Sequence, residues 1–261
     1  MRPIDCVMPL FGSDSSGSLE VIGSGILIQI GPRVFLLSAS HVFTGNADTT
    51  VYYPSREGAK VLLGTRCGAK SNKEDVTYFL LDDVTAKDIA WSYAALPSFF
   101  IEMNDQTSQG DHYCLTGFPE DIQNANPTAK VFSAQRFAYN AKVADERIYR
   151  KCKVNRASHI VVEHSNRQAK DKSGCVIIPP SLHCMSGGAV WKHLGQEFSL
   201  PGLPAVRLVG ITIEKRNEWG AAVATRINYV MEAIRNNFSE LSLLIPSSST
   251  IKIELVEARP V

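Results

Sequence analysis

The stretch Leu182-His183-Cys184-Met185-Ser186-Gly187-Gly188-Ala189-Val190-Trp191 sets a serine and two glycines directly before an apolar, strand-like run. A hydroxyl is a weak nucleophile at its free pKa, so a catalytic serine needs a neighbouring base and donors for a developing oxyanion. Glycines carry no Cβ and admit close approach of backbone and substrate. Taken alone the triplet also suits an ordinary turn, because turns use Ser and Gly freely. A histidine and an aspartate in suitable settings elsewhere in the chain are what give it meaning.

Both are present. Arg33-Val34-Phe35-Leu36-Leu37-Ser38-Ala39-Ser40-His41-Val42-Phe43 is a β-type run that ends in small residues and a histidine. Lys87-Asp88-Ile89-Ala90-Trp91 places an aspartate directly before another apolar run. The order His41, Asp88, Ser186 is that of chymotrypsin and differs from the orders in subtilisin and the α/β-hydrolases. Each gap leaves room for several short strands.

Ser38-Ala39-Ser40-His41-Val42, Asp88-Ile89-Ala90 and Ser186-Gly187-Gly188 together resemble the three motif blocks of the trypsin-like, chymotrypsin-fold serine proteases, of bacterial intracellular type. Two further blocks agree. Leu115-Thr116-Gly117-Phe118-Pro119 resembles a strand end common in bacterial members, and Leu208-Val209-Gly210-Ile211 resembles the strand lining the substrate groove. The resemblance implies an all-β fold of two antiparallel six-stranded β-barrels with a C-terminal helix. It also implies a serine endopeptidase working through an acyl-enzyme, with no cofactor and a protein or peptide substrate.

Composition agrees with a soluble globular chain. The 261 residues are 44% hydrophobic and carry a net charge of +1. That balance gives no reason to expect nucleic acid or an anionic membrane as partner. No run of about 18 apolar residues exists, so a membrane span is not expected. Met1-Arg2-Pro3-Ile4-Asp5 lacks a signal-peptide core, which together with the scattered cysteines at 6, 67, 114, 152, 175 and 184 leads to the expectation of free thiols in the cytoplasm. His159, His164, His183 and Cys184 show no familiar ligand spacing, and no metal site is expected.

Along the chain, strand candidates fall at 19–30, 34–39, 49–53, 59–63, 76–81 and 88–95, then at 112–118, 130–139, 159–163, 175–178, 187–191, 206–214 and 221–225. Residues 1–18 read as an extended lead-in, 70–75 as a turn, and 141–156 carry charge without a clear pattern. Ile227, Val230, Met231, Ile234 and Phe238 follow helical spacing, predicting a helix over 226–238 that packs on the second barrel. Residues 1–105 form the barrel carrying His41 and Asp88, 106–240 the barrel carrying Ser186, and 241–261 a linker with an extra strand at 251–257.

By the resemblance, His41 is the general base, Asp88 orients it and Ser186 is the nucleophile. The oxyanion donors are the N–H groups of Cys184 and Ser186. The family usually has glycine at position 184. A cysteine there either adopts positive φ, at a cost on the order of 1–3 kcal/mol, or leaves the hole unformed. Met185 replaces the acidic residue that trypsin-like zymogens pair with a new N-terminus, so activation by that route is not expected. Control by a regulatory protein partner, or by rearrangement of 172–186, is expected instead. Pro180 and Leu182 (with Pro179) are expected at the base of the primary pocket, Ile213, Glu214 and Lys215 along one wall, and Ala221 and Ala222 opposite. No aspartate stands where a trypsin-type pocket holds one, which favours an apolar or small side chain, while Glu214 leaves a basic one open. Two alternatives stand beside the enzyme: a latent or inactive module of protease fold that binds a peptide or partner, and a cysteine protease using Cys184, which misaligns the glycines.

Overall fold

Apolar runs broken by glycine-rich and polar turns become antiparallel strands. The computed structural model describes residues 2–13, 18–44, 50–62, 65–71, 73–122, 124–126, 131–164, 169–170, 176–177, 180–194, 205–247 and 256–258. Cys175, Pro179 and residues 251–255 of the expected tail strand lie outside them.

The first sheet comprises β1 (Val7–Ser13), β2 (Leu19–Ile30), β3 (Arg33–Ala39), β4 (Val51–Ser55), β5 (Gly58–Val61), β6 (Thr65–Ser71), β7 (Val76–Leu81) and the two-residue β8 (Leu96–Pro97). The second half contributes β9 (His112–Gly117), β10 (Asn124–Asn126), β11 (Val131–Ser133), β12 (Phe137–Lys142), β13 (His159–Glu163), β14 (Ala169–Lys170) and β15 (Val176–Ile177). It continues with β16 (Ala189–His193), β17 (Val206–Arg216) and β18 (Ala221–Arg226), and the tail adds β19 (Val256–Ala258). Four α-helices intervene among the described residues: α1 (Ser40–Thr44), α2 (Asp83–Ile89), α3 (Glu146–Cys152) and α4 (Ile227–Asn237).

The N-terminal sheet runs β19-β6-β7-β3-β2-β1-β4-β5, with β8 beside β2. It thus has nine strands among the described residues rather than the six expected. Three were not anticipated: β1, β6 and the two-residue β8. The lead-in carries β1, whose Val7, Met8, Leu10 and Phe11 are all buried. The segment before the 73–75 turn carries β6, where Gly68 lets the chain pass Phe79: a Cβ there would lie 2.7 Å from the ring. The C-terminal sheet has six strands in the order β12-β9-β16-β17-β18-β13, and a bridge between Val143 and Val162 joins its two ends. The ribbons β10-β11 and β14-β15 stand apart.

The expected strand at 88–95 is instead the end of α2 and a turn. Asp82 caps this helix by accepting from Thr85 N at 2.7 Å, and Thr85 and Ile89 are buried one turn apart. A capped start followed by an i, i+4 buried pair is a helical signature, and it overrides the apolar run that follows. The unassigned 141–156 region folds into α3 by the same device, with Asp145 accepting from Ile148 N at 2.9 Å.

Helix α4 forms where the periodicity places it, with Ile227, Val230, Met231, Ala233 and Ile234 buried. It packs on β17 and β18, and also on β7 of the first sheet. Phe238 at its end meets Phe35 and Tyr78, with ring centroids 5.3 and 6.3 Å away. The helix therefore clamps both halves rather than the second alone. The crossing between halves is fixed by charge as well. The Arg226 guanidinium donates to Asp105 Oδ2 at 2.9 Å and to Arg156 O at 2.7 Å, with the side chains of Arg226 and Asp105 both buried. Lys192 Nζ reaches the same carboxylate at 2.6 Å. No helix among the described residues is long and apolar enough to cross a membrane.

Candidate active site

Ser186 lies in a tight turn packed between the two sheets. Gly187 has φ +85°, and a Cβ on it would lie 2.0 Å from Ser24 O and 2.2 Å from Ser38 Oγ. A Cβ on Gly188 would lie 2.3 Å from Thr116 O. No side chain fits at either position, which is the physical content of the Ser-Gly-Gly signature. The turn is pinned by Gly187 N donating to Thr212 O at 2.7 Å and Gly188 N to Met185 O at 2.9 Å.

The other side of the turn rests on Ser24, a residue that sequence reading passed over. Its backbone N–H donates to Ser186 O at 2.8 Å. Its hydroxyl donates to Cys184 O at 3.3 Å and accepts from Phe118 N at 3.0 Å. Its carbonyl accepts from Ser38 Oγ at 2.7 Å. One fully buried serine on β2 thus ties the Ser186 loop to both sheets. Its only sequence signal is a polar residue between two glycines in an apolar strand.

His41 lies in the first turn of α1, at the end of β3. Its Nδ1 lies 2.6 Å from Asp75 Oδ2, and its backbone N–H donates to Asp75 Oδ1 at 2.9 Å. Ser40 N donates to Asp75 O at 3.1 Å, so the aspartate grips this turn at three points. Asp75 itself sits at φ +52°, directly before β7. Its hydrogen bond holds the His41 imidazolium pKa above the usual histidine value, against an opposing desolvation, with smaller help from the charges of Asp75 and Glu214.

Asp88, the expected orienting acid, is elsewhere. On α2 it accepts from Tyr53 OH at 3.0 Å and pairs with Lys60 Nζ at 3.2 Å. The capped helix carries its carboxylate toward β4 and β5, while the β6–β7 turn delivers Asp75 to the histidine. Both aspartates precede an apolar run and both keep the His-Asp-Ser order, so order alone cannot separate them. Glu74 adds the tertiary tie: its carbonyl accepts from Thr225 Oγ1 of β18, anchoring the turn to the other sheet.

His41, Asp75, Cys184 and Ser186 line one open cleft of about 1730 Å³ between the sheets. Ser186 Oγ donates to Ile213 O at 3.2 Å rather than to His41. Cys184 has φ +64°, so of the two expected outcomes the left-handed one is realised. Burial pushes its thiol up to about 12, with Glu120, Glu20 and Asp121 adding in the same direction. A thiol so disposed is a poor nucleophile. Among the described residues the N–H groups of Cys184 and Ser186 donate to no protein acceptor, the condition an oxyanion hole requires.

Of the expected pocket residues, Leu182, Ile213, Glu214 and Lys215 line the cleft. Glu214 is engaged, pairing with Arg216 Nε at 2.8 Å. Burial lowers the Lys215 ammonium pKa, opposed by Asp121. Ala221 and Ala222 are buried in the ladder between β13 and β17, Pro180 is half-buried, and none of the three lines the cleft. A β-strand turns alternate side chains to opposite faces, and both faces of β18 are covered, so Ala221 and Ala222 are each enclosed.

The two sheets and their order match the chymotrypsin-like two-barrel fold. Among solved structures the chain is similar to neuropsin, a serine protease expressed in the limbic system of mouse brain. The two share 16% identity and a TM-score of 0.53, over 91% of this chain and 96% of neuropsin. The chain matches no protein-family model and none of the curated proteins.

Proposed function

We propose that the protein is a serine endopeptidase whose nucleophile, base and orienting acid are Ser186, His41 and Asp75. The observation that carries this reading is the 2.6 Å pairing of His41 with Asp75 in the cleft that also holds Ser186 and two free N–H donors. Asp75 keeps the proton on Nδ1, leaving Nε2 as the base. Ser186 Oγ turns from Ile213 O toward Nε2, gives up its proton and attacks the peptide carbonyl carbon. The oxyanion is received by the N–H groups of Cys184 and Ser186. His41 then protonates the leaving amine, and water hydrolyses the acyl-enzyme by the same route. Catalytic hydrogen bonds that are absent without substrate commonly form in the Michaelis complex.

Leu182 and Ile213 favour an apolar or small side chain next to the scissile bond. A narrow protein or peptide substrate, or a regulatory protein partner, fits a nucleophile that rests on a carbonyl. That same resting contact favours a second reading, a latent module of protease fold that binds a peptide in the cleft. Labelling of the purified chain with a fluorophosphonate probe separates the two. The endopeptidase labels, and Ser186→Ala does not. A folded wild type that fails to label at any time overturns the enzymatic reading in favour of the binding module. Rapid, indiscriminate digestion of casein would remove the narrow-substrate part alone.

A further inference from the structure

Beside the nucleophile, three different donor atoms converge. The Glu120 carboxylate, a His183 ring nitrogen and Cys184 Sγ all lie within 4.8 Å of one another. They come from two segments already fastened together. Glu120 N donates to His183 O at 3.2 Å, and Ser181 N donates to Asp121 Oδ2 at 2.7 Å. His183 Nε2 stands 3.7 Å from Glu120 Oε2, and both side chains are more than half exposed, so each is free to close on an ion without moving the backbone.

We propose that Glu120, His183 and Cys184 form a binding site for a zinc-class divalent cation at the edge of the cleft. Thiolate and imidazole select zinc-class ions, whereas Ca²⁺ and Mg²⁺ demand oxygen donors. Three protein ligands leave a fourth tetrahedral position for water. Glu20 and Asp121 place further negative charge around the sulfur, a field that attracts a cation. On binding, the S–H bond breaks, its proton leaves to solvent and the sulfur–metal bond forms. The site stands whether or not Ser186 is nucleophilic. Its consequence is local: Cys184 also lines the cleft, and its N–H donates to no protein acceptor among the described residues, so an ion on its sulfur fixes that peptide and narrows the cleft beside Ser186.

The test is a zinc titration of the purified full chain against a chromophoric chelator, with Cys184→Gly and His183→Ala as variants. Cys184 sits at positive φ, so glycine there removes the ligand without straining the fold, and thermal melting confirms it. One ion per chain is expected in the wild type. Each variant is expected to bind at least roughly tenfold more weakly, since even outer-shell losses cost that much. Cobalt loading is expected to give a thiolate charge-transfer band that Cys184→Gly lacks. No uptake by the wild type, a variant that binds as tightly as wild type, a band that persists in Cys184→Gly, or displacement of zinc by equimolar Ca²⁺ would each overturn the site.

Discussion

Replacing Asp75 by Asn removes a charge and keeps the shape, and replacing Asp88 by Asn is its control. In the proposed mechanism, the imidazolium formed in the transition state faces the Asp75 carboxylate through the 2.6 Å contact. With charge centres about 4 Å apart and an effective dielectric of about 20, the attraction is about 4 kcal/mol. That is an upper figure, because the His41 side chain is 47% exposed and that of Asp75 25%. An amide also no longer requires the proton on Nδ1, and the wrong tautomer leaves no base at Nε2. A comparable change in another triad costs about 10⁴-fold in turnover, or about 5 kcal/mol of barrier. Asp75→Asn is therefore expected to slow fluorophosphonate labelling by roughly 10³- to 10⁴-fold. Asp88→Asn loses contacts to Tyr53 on β4 and Lys60 on β5, outside the cleft, and labelling is expected to stay within about threefold of wild type. The assay is the pseudo-first-order labelling rate at neutral pH, with circular dichroism confirming the fold. Loss of labelling in Asp88→Asn with retention in Asp75→Asn would refute the assignment.

His41 acts as a base only when neutral, and its pKa is raised mainly by the Asp75 hydrogen bond. The labelling rate is thus expected to rise with pH through a midpoint above the ordinary histidine value, and the residual rate of Asp75→Asn to show a lower midpoint. Because the folded pKa lies above the unfolded one, the stability His41 contributes is complete below the unfolded pKa and is lost as pH rises through the folded pKa. Denaturant midpoints for wild type and His41→Gln should converge as pH rises through that range, and a constant difference would contradict it. Cys184→Gly relieves about 1–2 kcal/mol of left-handed strain against about 0.5–1 kcal/mol of added chain entropy, so urea unfolding should show stability unchanged to about 1 kcal/mol higher. A clear loss would show that the cysteine is not strained. Asp105→Ala leaves the Arg226 guanidinium buried without its carboxylate and is expected to cost about 3–5 kcal/mol, and a cost under about 1 kcal/mol would show that entering water replaces it.

Much of the fold was legible because its signals are local. Alternating and continuous apolar runs marked β2, β3, β7, β9, β13, β17 and β18, and a period of 3.6 marked α4. Gly31, at φ +56° in the two-residue turn between Ile30 and Arg33, closes the β2–β3 hairpin where glycine-proline stands in the chain. Strands β1 and β6 were missed because Pro9 in one and the small, charged residues of the other mask the pattern that burial later reveals. Helices α2 and α3 were missed because a single capping aspartate outweighs the composition of a seven-residue segment.

The candidate site divides along the same line. Sequence alone singled out His41 and Ser186, because each is embedded in a local motif whose neighbours are dictated by contact: the glycines after Ser186 cannot bear a Cβ, and His41 must follow a buried strand end. It also located Cys184 as the position where backbone conformation and residue type conflict. Only the tertiary structure chose Asp75 over Asp88, since both stand before apolar runs and the choice depends on which turn meets α1 across the sheet. Only the tertiary structure disclosed Ser24, and the meeting of Glu120 with His183 and Cys184, because those contacts join segments far apart in the chain. Motif spacing records what a residue's own neighbours require, whereas partners brought together by sheet packing leave no periodic trace in the sequence.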